Sequence, residues 1–356
     1  MNERVLFILK NFEIGQNITL IKAIDSGHIN QTFFVDNGED QFILQRINNY
    51  AFKDVDALMN NIRIVTSFIR NKGHETLDII PTHDGLLYVK DKDSYYRLYR
   101  FIKNTISYET VGDDLSLAES LGAAFGEFHN LLSDLDASLI SEVIPDFHNT
   151  KKRFRDFSNA YVNSDISKRE TAKKEVEYIL NHNYTYSKIM DGIKHKEINT
   201  RIIHNDPKIN NILFDKDNHS IRAIIDLDTV MPGSVLFDIG DAFRSLFSGD
   251  NEDNKDTSML KINIPIYKAY MSAYFKQMKN NLTKKEVELI PYSIYLMTIE
   301  CGMRFLEDYL RGNIYFHTNY EEHNLVRCRT QIALAEDVLN HLDELNKITK
   351  ELYDHE

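Results

Sequence analysis

The run Ile202-Ile203-His204-Asn205-Asp206-Pro207-Lys208-Ile209-Asn210-Asn211 passes into the apolar stretch Ile212-Leu213-Phe214. A turn, Asp215-Lys216-Asp217-Asn218, then leads to a second apolar strand, Arg222-Ala223-Ile224-Ile225, which ends at Asp226-Leu227-Asp228. This order constrains the fold more than any other feature of the chain. It predicts a polar loop followed by a β-hairpin that delivers a second carboxylate, Asp226. An Asp on such a loop can orient a hydroxyl group and accept its proton. An amide oxygen five residues on, with a carboxylate from the next strand end, offers the hard oxygen donors that hold magnesium. Any one of these residues alone is an ordinary turn residue. The ordered set of His204, Asp206, Asn211, hairpin and Asp226 is specific.

Upstream, up to about residue 102, the pattern is of strands and turns around a single helix. Ile18 to Ile24, Thr32 to Val35 and Gln41 to Ile47 read as strands, the last two joined by an Asn37-Gly38 hairpin turn. From Asp54 to Asn71 the apolar residues recur at helical spacing, and Asn71-Lys72-Gly73 stops them. Leu86 to Lys90 and Ser94 to Ile102 read as two more strands. Downstream the chain is mainly helical: Leu115 to Leu132, Lys168 to Met190, a capping box at Thr283-Lys284-Lys285-Glu286 opening a helix to about Leu310, and Glu322 to Leu345. The boundary between the two regions is placed at Lys103-Asn104-Thr105, giving an N-lobe of residues 1–103 and a C-lobe of residues 104–356.

Composition excludes several alternatives. With 42 Lys and Arg against 54 Asp and Glu, the net charge of −12 argues against a nucleic-acid partner, which needs concentrated basic surface. Two cysteines, Cys301 and Cys328, make neither a disulfide framework nor a zinc cage. The N-terminal residues lack a signal-peptide pattern, and no apolar run reaches the length of about 18 residues that a membrane helix needs. A cytoplasmic protein with no membrane partner is expected. No GxxxxGK[ST] run exists, so a Walker-type ATPase is not supported.

The frame His204-x-Asp206-x4-Asn211 has the spacing of a kinase catalytic loop. Residues 201–241 resemble the aminoglycoside phosphotransferase and choline kinase superfamily, which has the protein-kinase-like fold. Within it, His204 to Asp215, Ile225 to Gly233 and Phe237 to Arg244 are similar to the N-acetylhexosamine 1-kinases. So are Ser26 to Asn30, Phe42 to Arg46, Arg100 to Ile102 and Glu300 to Leu306. The resemblance implies an α+β, bilobed structure with a β-rich N-lobe and a mainly helical C-lobe. It implies an ATP- and Mg2+-dependent kinase, acting on the anomeric hydroxyl of N-acetylhexosamines as its sugar substrate. Asp206 would be the catalytic base, and Asn211 and Asp226 the magnesium ligands. Asp228 would lie behind the metal ligands as a supporting residue, or contact the metal through water. Asp238 would brace the catalytic loop, for instance through His204; capping of the helix expected near Phe237 is the alternative for Asp238 and Asp241. Gly27, in the loop Asp25 to Gln31, would cover the phosphates, although a loop with one glycine reads on its own as an ordinary hairpin loop; the segment Arg100, Phe101 and Ile102 would receive adenine. His28, Thr229, Arg304 and Tyr315 would form the acceptor site, although each has an ordinary structural role open to it.

One departure stands out. Kinases place a Lys in the third strand, paired with a helical Glu. Here Gln45 occupies that place, Arg46 would point to the opposite face, and the helix Asp54 to Asn71 contains no Glu. Asn60 or Asn61 is the expected amide partner of Gln45. Two other readings follow: a related kinase with an aminoglycoside, choline or amino-alcohol acceptor, or a non-catalytic nucleotide-binding protein. Joint retention of Asp206, Asn211 and Asp226 argues against the second.

Overall fold

Residues 2–15, 17–24, 30–249 and 252–356 are described in the computed structural model. They divide into two units. Met1–Ser107, Asp134–Pro145 and Ile212–Met231 form the first, and Tyr108–Ser133, Asp146–Asn211 and Pro232–Glu356 form the second.

In the first unit, Asn37 and Gly38 set the register of the sheet. The Asn37 side chain accepts from the amides of Glu39 and Asp40 at 3.1 and 2.7 Å. Gly38 takes a φ of +88°, where any side chain would be strained. The turn joins β2 (Gln31–Asp36) to β3 (Gln41–Ile47), with β1 (Leu20–Ile24) outside β2. On its other side β3 pairs with β6 (Ser94–Arg100), which also pairs with the short strands β4 (Ile79–Ile80) and β5 (Val89–Asp91). All these pairings are antiparallel. The strand expected from Leu86 is therefore shorter than its apolar run.

Strand alternation turns Phe33, Val35, Phe42, Leu44, Tyr96 and Leu98 to one face, where they bury against Val5, Ile8, Leu9 and Phe12. The first three of these covering residues belong to α1 (Asn2–Leu9), a helix beyond the single one expected in this region. Eight residues are too few to hold a helix by propensity, so α1 depends on the apolar stripe it buries. The expected helix is α2 (Val55–Asn71), capped by Asp54, whose carboxylate accepts the Ala57 amide at 2.9 Å. β7 (Thr105–Ile106) pairs with the hairpin Ile212–Asp215 and Ile221–Ile224 in a second, three-stranded sheet.

The second unit is helical: α3 (Leu115–Leu131), α4 (Thr150–Asn163), α5 (Ile166–Thr171), α6 (Lys173–Asn181), α7 (Lys188–Lys194), α8 (Val235–Ser248), α9 (Ile264–Met278), α10 (Lys284–Arg311), α11 (His323–Asn340) and α12 (Leu342–His355). Two of these regions were expected as unbroken helices and are not. Residues 168–190 divide into α5, α6 and α7, and residues 322–345 divide between α11 and α12. The break after α6 and the break before α12 use one device. His182 Nδ1 donates to the Tyr178 carbonyl, and His341 Nδ1 to the Asp337 carbonyl, both at 2.8 Å. Each ring thus bonds back to a carbonyl in the last turn of its helix; the Asp337 carbonyl also accepts the His341 amide, at 3.2 Å.

The capping box at α10 is present: Thr283 Oγ1 accepts the Glu286 amide at 3.1 Å, and Glu286 Oε2 accepts the Thr283 amide at 2.8 Å. Glu286 Oε1 also accepts from the Asn199 amide at 2.9 Å and from Arg201 Nη1 at 2.6 Å. One buried carboxylate therefore ties the start of α10 to the strand Arg201–Ile203. Helix packing is close enough that a Cβ at Gly240 of α8 would collide with the Ser293 carbonyl of α10. Among the described residues, no helix is long and apolar enough to cross a membrane.

Candidate active site

The strand Arg201–Ile203 is buried throughout and runs into His204-Asn205-Asp206. The His204 ring is fully buried, edge-on to Phe125 and Phe128 of α3 at centroid distances of 5.4 and 5.8 Å. Asp238, on α8 and also fully buried, accepts the His204 amide on Oδ2 and the Asn205 amide on Oδ1, each at 2.7 Å. Asn205 has a φ of +65°, a conformation Asn tolerates better than most residues. Asp238 Oδ2 also meets His129 Nε2 at 2.8 Å, and His129 Nδ1 meets the Tyr274 hydroxyl at 2.9 Å.

Asp238 thus grips the loop through backbone amides. It does not cap α8, whose N-cap is Ser234, with Oγ accepting from the Leu236 amide at 3.2 Å. Asp241 is not a cap either: it pairs with Arg244 at 2.6 Å. Burial pushes the Asp241 carboxyl up, but the Arg244 guanidinium outweighs it and holds the group below the usual aspartate range.

Asp206 is half-buried at the end of this braced segment. Its Oδ1 lies 2.7 Å from Lys208 Nζ. Asn211 Nδ2 donates to the Asp206 carbonyl at 2.8 Å and to Oδ2 at 3.2 Å. With its nitrogen turned to Asp206, Asn211 has its Oδ1 left for a cation. Lys208 was not singled out from the sequence, though its place two residues after Asp206 was a usable signal. Burial works against its charge, but Asp206 holds the ammonium above the ordinary lysine range.

In the first unit, Gln45 faces Thr32 on β2 and Arg97 on β6 directly across the sheet. Gln45 Nε2 donates to Thr32 Oγ1 at 3.3 Å. Gln45 Oε1 accepts from Arg97 Nε at 3.0 Å and Nη2 at 2.8 Å. The expected pairing with Asn60 or Asn61 is absent: Asn60 accepts from Arg63, and Asn61 donates to the Ser141 and Val230 carbonyls. Arg46 is exposed on the opposite face, as alternation requires.

The Arg97 side chain is only 1% exposed, stacks over Tyr99 at 5.1 Å, and places Nη1 2.5 Å from Asp228 Oδ1. Burial works against the guanidinium, yet Asp228, with Tyr99 and Asp226 behind it, holds it above the usual arginine range. Asp228 Oδ2 accepts from Asn30 Nδ2 at 2.7 Å, and Asn30 Oδ1 accepts the Asn48 amide at 2.9 Å. Both Asp228 oxygens therefore face protein groups. Asp226, two residues earlier, is exposed and has a left-handed φ of 58°. Thr229 is buried in the short turn that follows.

Arg100 is engaged at the surface, with Asp40 at 3.0 Å and Asp78 at 3.3 Å. The Phe101 amide donates to the Gln41 carbonyl at 2.9 Å, and the ring packs edge-on against Phe34 at 5.3 Å. The Ile102 carbonyl accepts from Thr105 Oγ1 at 2.8 Å. In the second unit, the Arg304 guanidinium lies over the rings of Phe147 and Phe316 at 5.7 and 5.6 Å. Tyr315 packs edge-on against the same Phe316 ring at 4.8 Å and is 61% exposed, so it is a surface residue and not core. Gly27 and His28 lie outside the described residues.

A family model described as the phosphotransferase enzyme family matches residues 20–261. Among solved structures, the chain is similar to a microcompartment-associated aminopropanol kinase, with 12% identity over 97% of this chain and 99% of that one, at a TM-score of 0.64. It is similar to a choline kinase from Cryptosporidium parvum, with 15% identity over 99% and 100% of the chains and a TM-score of 0.60. A spectinomycin phosphotransferase in complex with ADP and spectinomycin matches at 14% identity over 98% of each chain, with a TM-score of 0.57. At such identities these likenesses establish the fold, a sheet-based first part and a helical second part of the protein-kinase-like type.

Proposed function

We propose, for a chain that belongs to the phosphotransferase enzyme family, that it is an ATP- and magnesium-dependent kinase of a small-molecule alcohol whose acceptor is the anomeric hydroxyl of an N-acetylhexosamine. The observation that carries the reading is the Asp206 carboxylate, half-buried on a loop anchored from behind by Asp238. Lys208 meets one of its oxygens and Asn211 the other. A carboxylate has about four acceptor positions, so a hydroxyl group can still approach and surrender its proton.

ADP is bound in the similar spectinomycin phosphotransferase, and a nucleotide is proposed here. Arg100, Phe101 and Ile102 form the segment proposed for adenine, and Gly27 is proposed to cover the phosphates. Asn211 and Asp226 offer amide and carboxylate oxygens, the donor types magnesium takes, and magnesium held by them would neutralise phosphate charge.

Arg304, between two aromatic rings with Tyr315 nearby, suits a neutral polyol with an apolar C–H face. The carboxylates one helical turn on either side of Arg304 are committed. Glu300 accepts from Thr150 Oγ1 at 2.5 Å and meets His148 Nδ1 at 2.8 Å. Asp308 accepts the amides of Ile314, Tyr315 and Phe316, and the Asn324 side chain. A cationic choline-like acceptor would meet the Arg304 guanidinium there, with Glu300 and Asp308 already engaged, which favours the sugar. His28 and Thr229 are proposed as further contacts to it.

An ADP-release assay across N-acetylglucosamine, N-acetylgalactosamine, glucose, galactose, choline and kanamycin tests the proposal. Turnover of an N-acetylhexosamine is expected, with phosphorus NMR showing coupling to the anomeric proton. Turnover of choline or kanamycin alone would replace the acceptor with an amino alcohol or aminoglycoside. No ADP release with any acceptor would favour a non-catalytic nucleotide-binding protein.

A further inference from the structure

Third-strand position 45 carries a neutral amide, and the residue directly opposite it on β6 carries a buried positive charge. The Arg97 fork reaches back onto Gln45 Oε1 through two nitrogens, and its third nitrogen is held beside Asp228. Arg97 Nη1 and Asp228 Oδ1 meet as an ion pair without hydrogen-bond alignment. Thr32, Gln45 and Arg97 therefore form a row across three strands, ending at the carboxylate that follows Asp226 by two residues.

We infer that Arg97 is the cation of the nucleotide-binding unit, displaced by one strand from the usual lysine position, and that it acts as a positioning residue for Asp226. The inference rests on the kinase reading above. Asp226 and Asp228 leave the same strand two residues apart, and two uncompensated carboxylates there would repel each other and the phosphates. Arg97 neutralises the buried one, Asp228. The grip is also geometric. Asp226 holds a left-handed backbone, an arrangement that persists only where neighbouring groups over-determine it. Asp228 supplies that fixation from the far side of buried Leu227, pinned on one oxygen by Arg97 and on the other by Asn30. Gln45 keeps the guanidinium from rotating. A charge removed from position 45 thus reappears at position 97, and the strand amide becomes its holder.

The test exchanges the two positions. Binding of ADP is measured by calorimetry with and without magnesium, alongside thermal unfolding, for the wild type, Arg97→Gln and the double variant Gln45→Lys/Arg97→Gln. Arg97→Gln should weaken magnesium-dependent ADP binding by about 10–100-fold, the usual cost of losing a group that orients a metal ligand. ADP binding without metal should change much less. The double variant, with its cation back on β3, should recover a substantial part of the metal-dependent term. A folded Arg97→Gln protein that binds Mg·ADP like the wild type overturns the inference. So does a double variant that binds no better than the single one, or fails to fold, since the two cation positions are then not interchangeable. If the wild type itself binds no Mg·ADP, it is the kinase reading that fails, and the inference falls with it.

Discussion

The Asp206 loop and the Arg97 cluster each hold a carboxylate against a cation, but they assemble it from opposite ends of the sequence scale. In the loop, the contacts to the Asp206 carboxylate come from residues at most five positions away, and the Asp206 side chain keeps 27% of its surface. In the cluster, Asn30, Gln45, Arg97 and Asp228 arrive from four separate segments, and the Arg97 and Asp228 side chains retain 1% and 4%. A loop of the first kind can lose its charge and stay folded, because water compensates. A cluster of the second kind loses stability with it, because removing one partner strands the other in a low-dielectric interior. Chemistry and stability should therefore separate between the two regions.

The strongest test of that separation is Asp206→Asn. It keeps the shape and removes the proton acceptor, so turnover should fall by about 10²–10⁴-fold. ADP affinity and the unfolding midpoint should be unchanged. A large loss of stability would place the loop in the same class as the cluster. Arg97→Met is the converse. Leaving Asp228 buried and unpaired should cost about 3–5 kcal/mol of unfolding free energy, read from urea titration. A loss under 1 kcal/mol would mean that the cluster is hydrated and the contrast false.

Arg304→Ala sharpens the loop side of the comparison. A charged donor to a substrate oxygen contributes about 1.5–3 kcal/mol, so kcat/KM for the sugar should fall by roughly 10–100-fold, through the sugar KM and not that of ATP. Parallel loss in both KM values would remove Arg304 from acceptor binding.

The smallest expected effect is confined to acid. Burial pushes the Glu300 carboxyl up, but its hydrogen bond with His148 leads the effects that hold it below the 4.5 of an ordinary glutamate. Its native form therefore binds protons less readily than the unfolded chain, and stability present at neutral pH is lost as pH falls through the native value. The acid limb of the unfolding curve should become shallower in Glu300→Gln. An unchanged limb would mean that other carboxylates govern acid unfolding.

The same contrast explains what the sequence could show. The Asp206 frame, the Asn37-Gly38 turn and the Thr283–Glu286 capping box are short-range devices, and each is spelled out within a few residues. The partner of Gln45 could not be read in that way. Alternation in Ser94 to Arg100 puts Arg97 on a face with Tyr95 and Tyr99, which signals a strand arginine in need of a partner. Which carboxylate answers it depends on a turn 131 positions later, since 228 − 97 = 131. Asp238 was ambiguous for a related reason: capping and loop bracing use the same acceptor chemistry, and only the fold reveals that Ser234 takes the cap. α1 was missed because its apolar stripe is too short to stand out, and its burial is supplied by strands later in the chain. The divided helices at 168–190 and 322–345 carried apolar periodicity through their breaks, and at two of these, after α6 and before α12, a histidine bonds back to a carbonyl without disturbing the pattern.

Glu286 has a consequence for motion as well as for structure. Its carboxylate closes the first turn of α10 and also receives the Asn199 amide and the Arg201 guanidinium just ahead of the Asp206 loop. Fraying of a helix end is ordinarily a private, low-energy event. Here the end cannot open without releasing the strand, and the strand cannot release without uncapping the helix. The amide hydrogens of Glu286 and Asn199, far apart in sequence, should therefore exchange with deuterium at a shared rate, marking a single opening unit beneath the loop that carries Asp206.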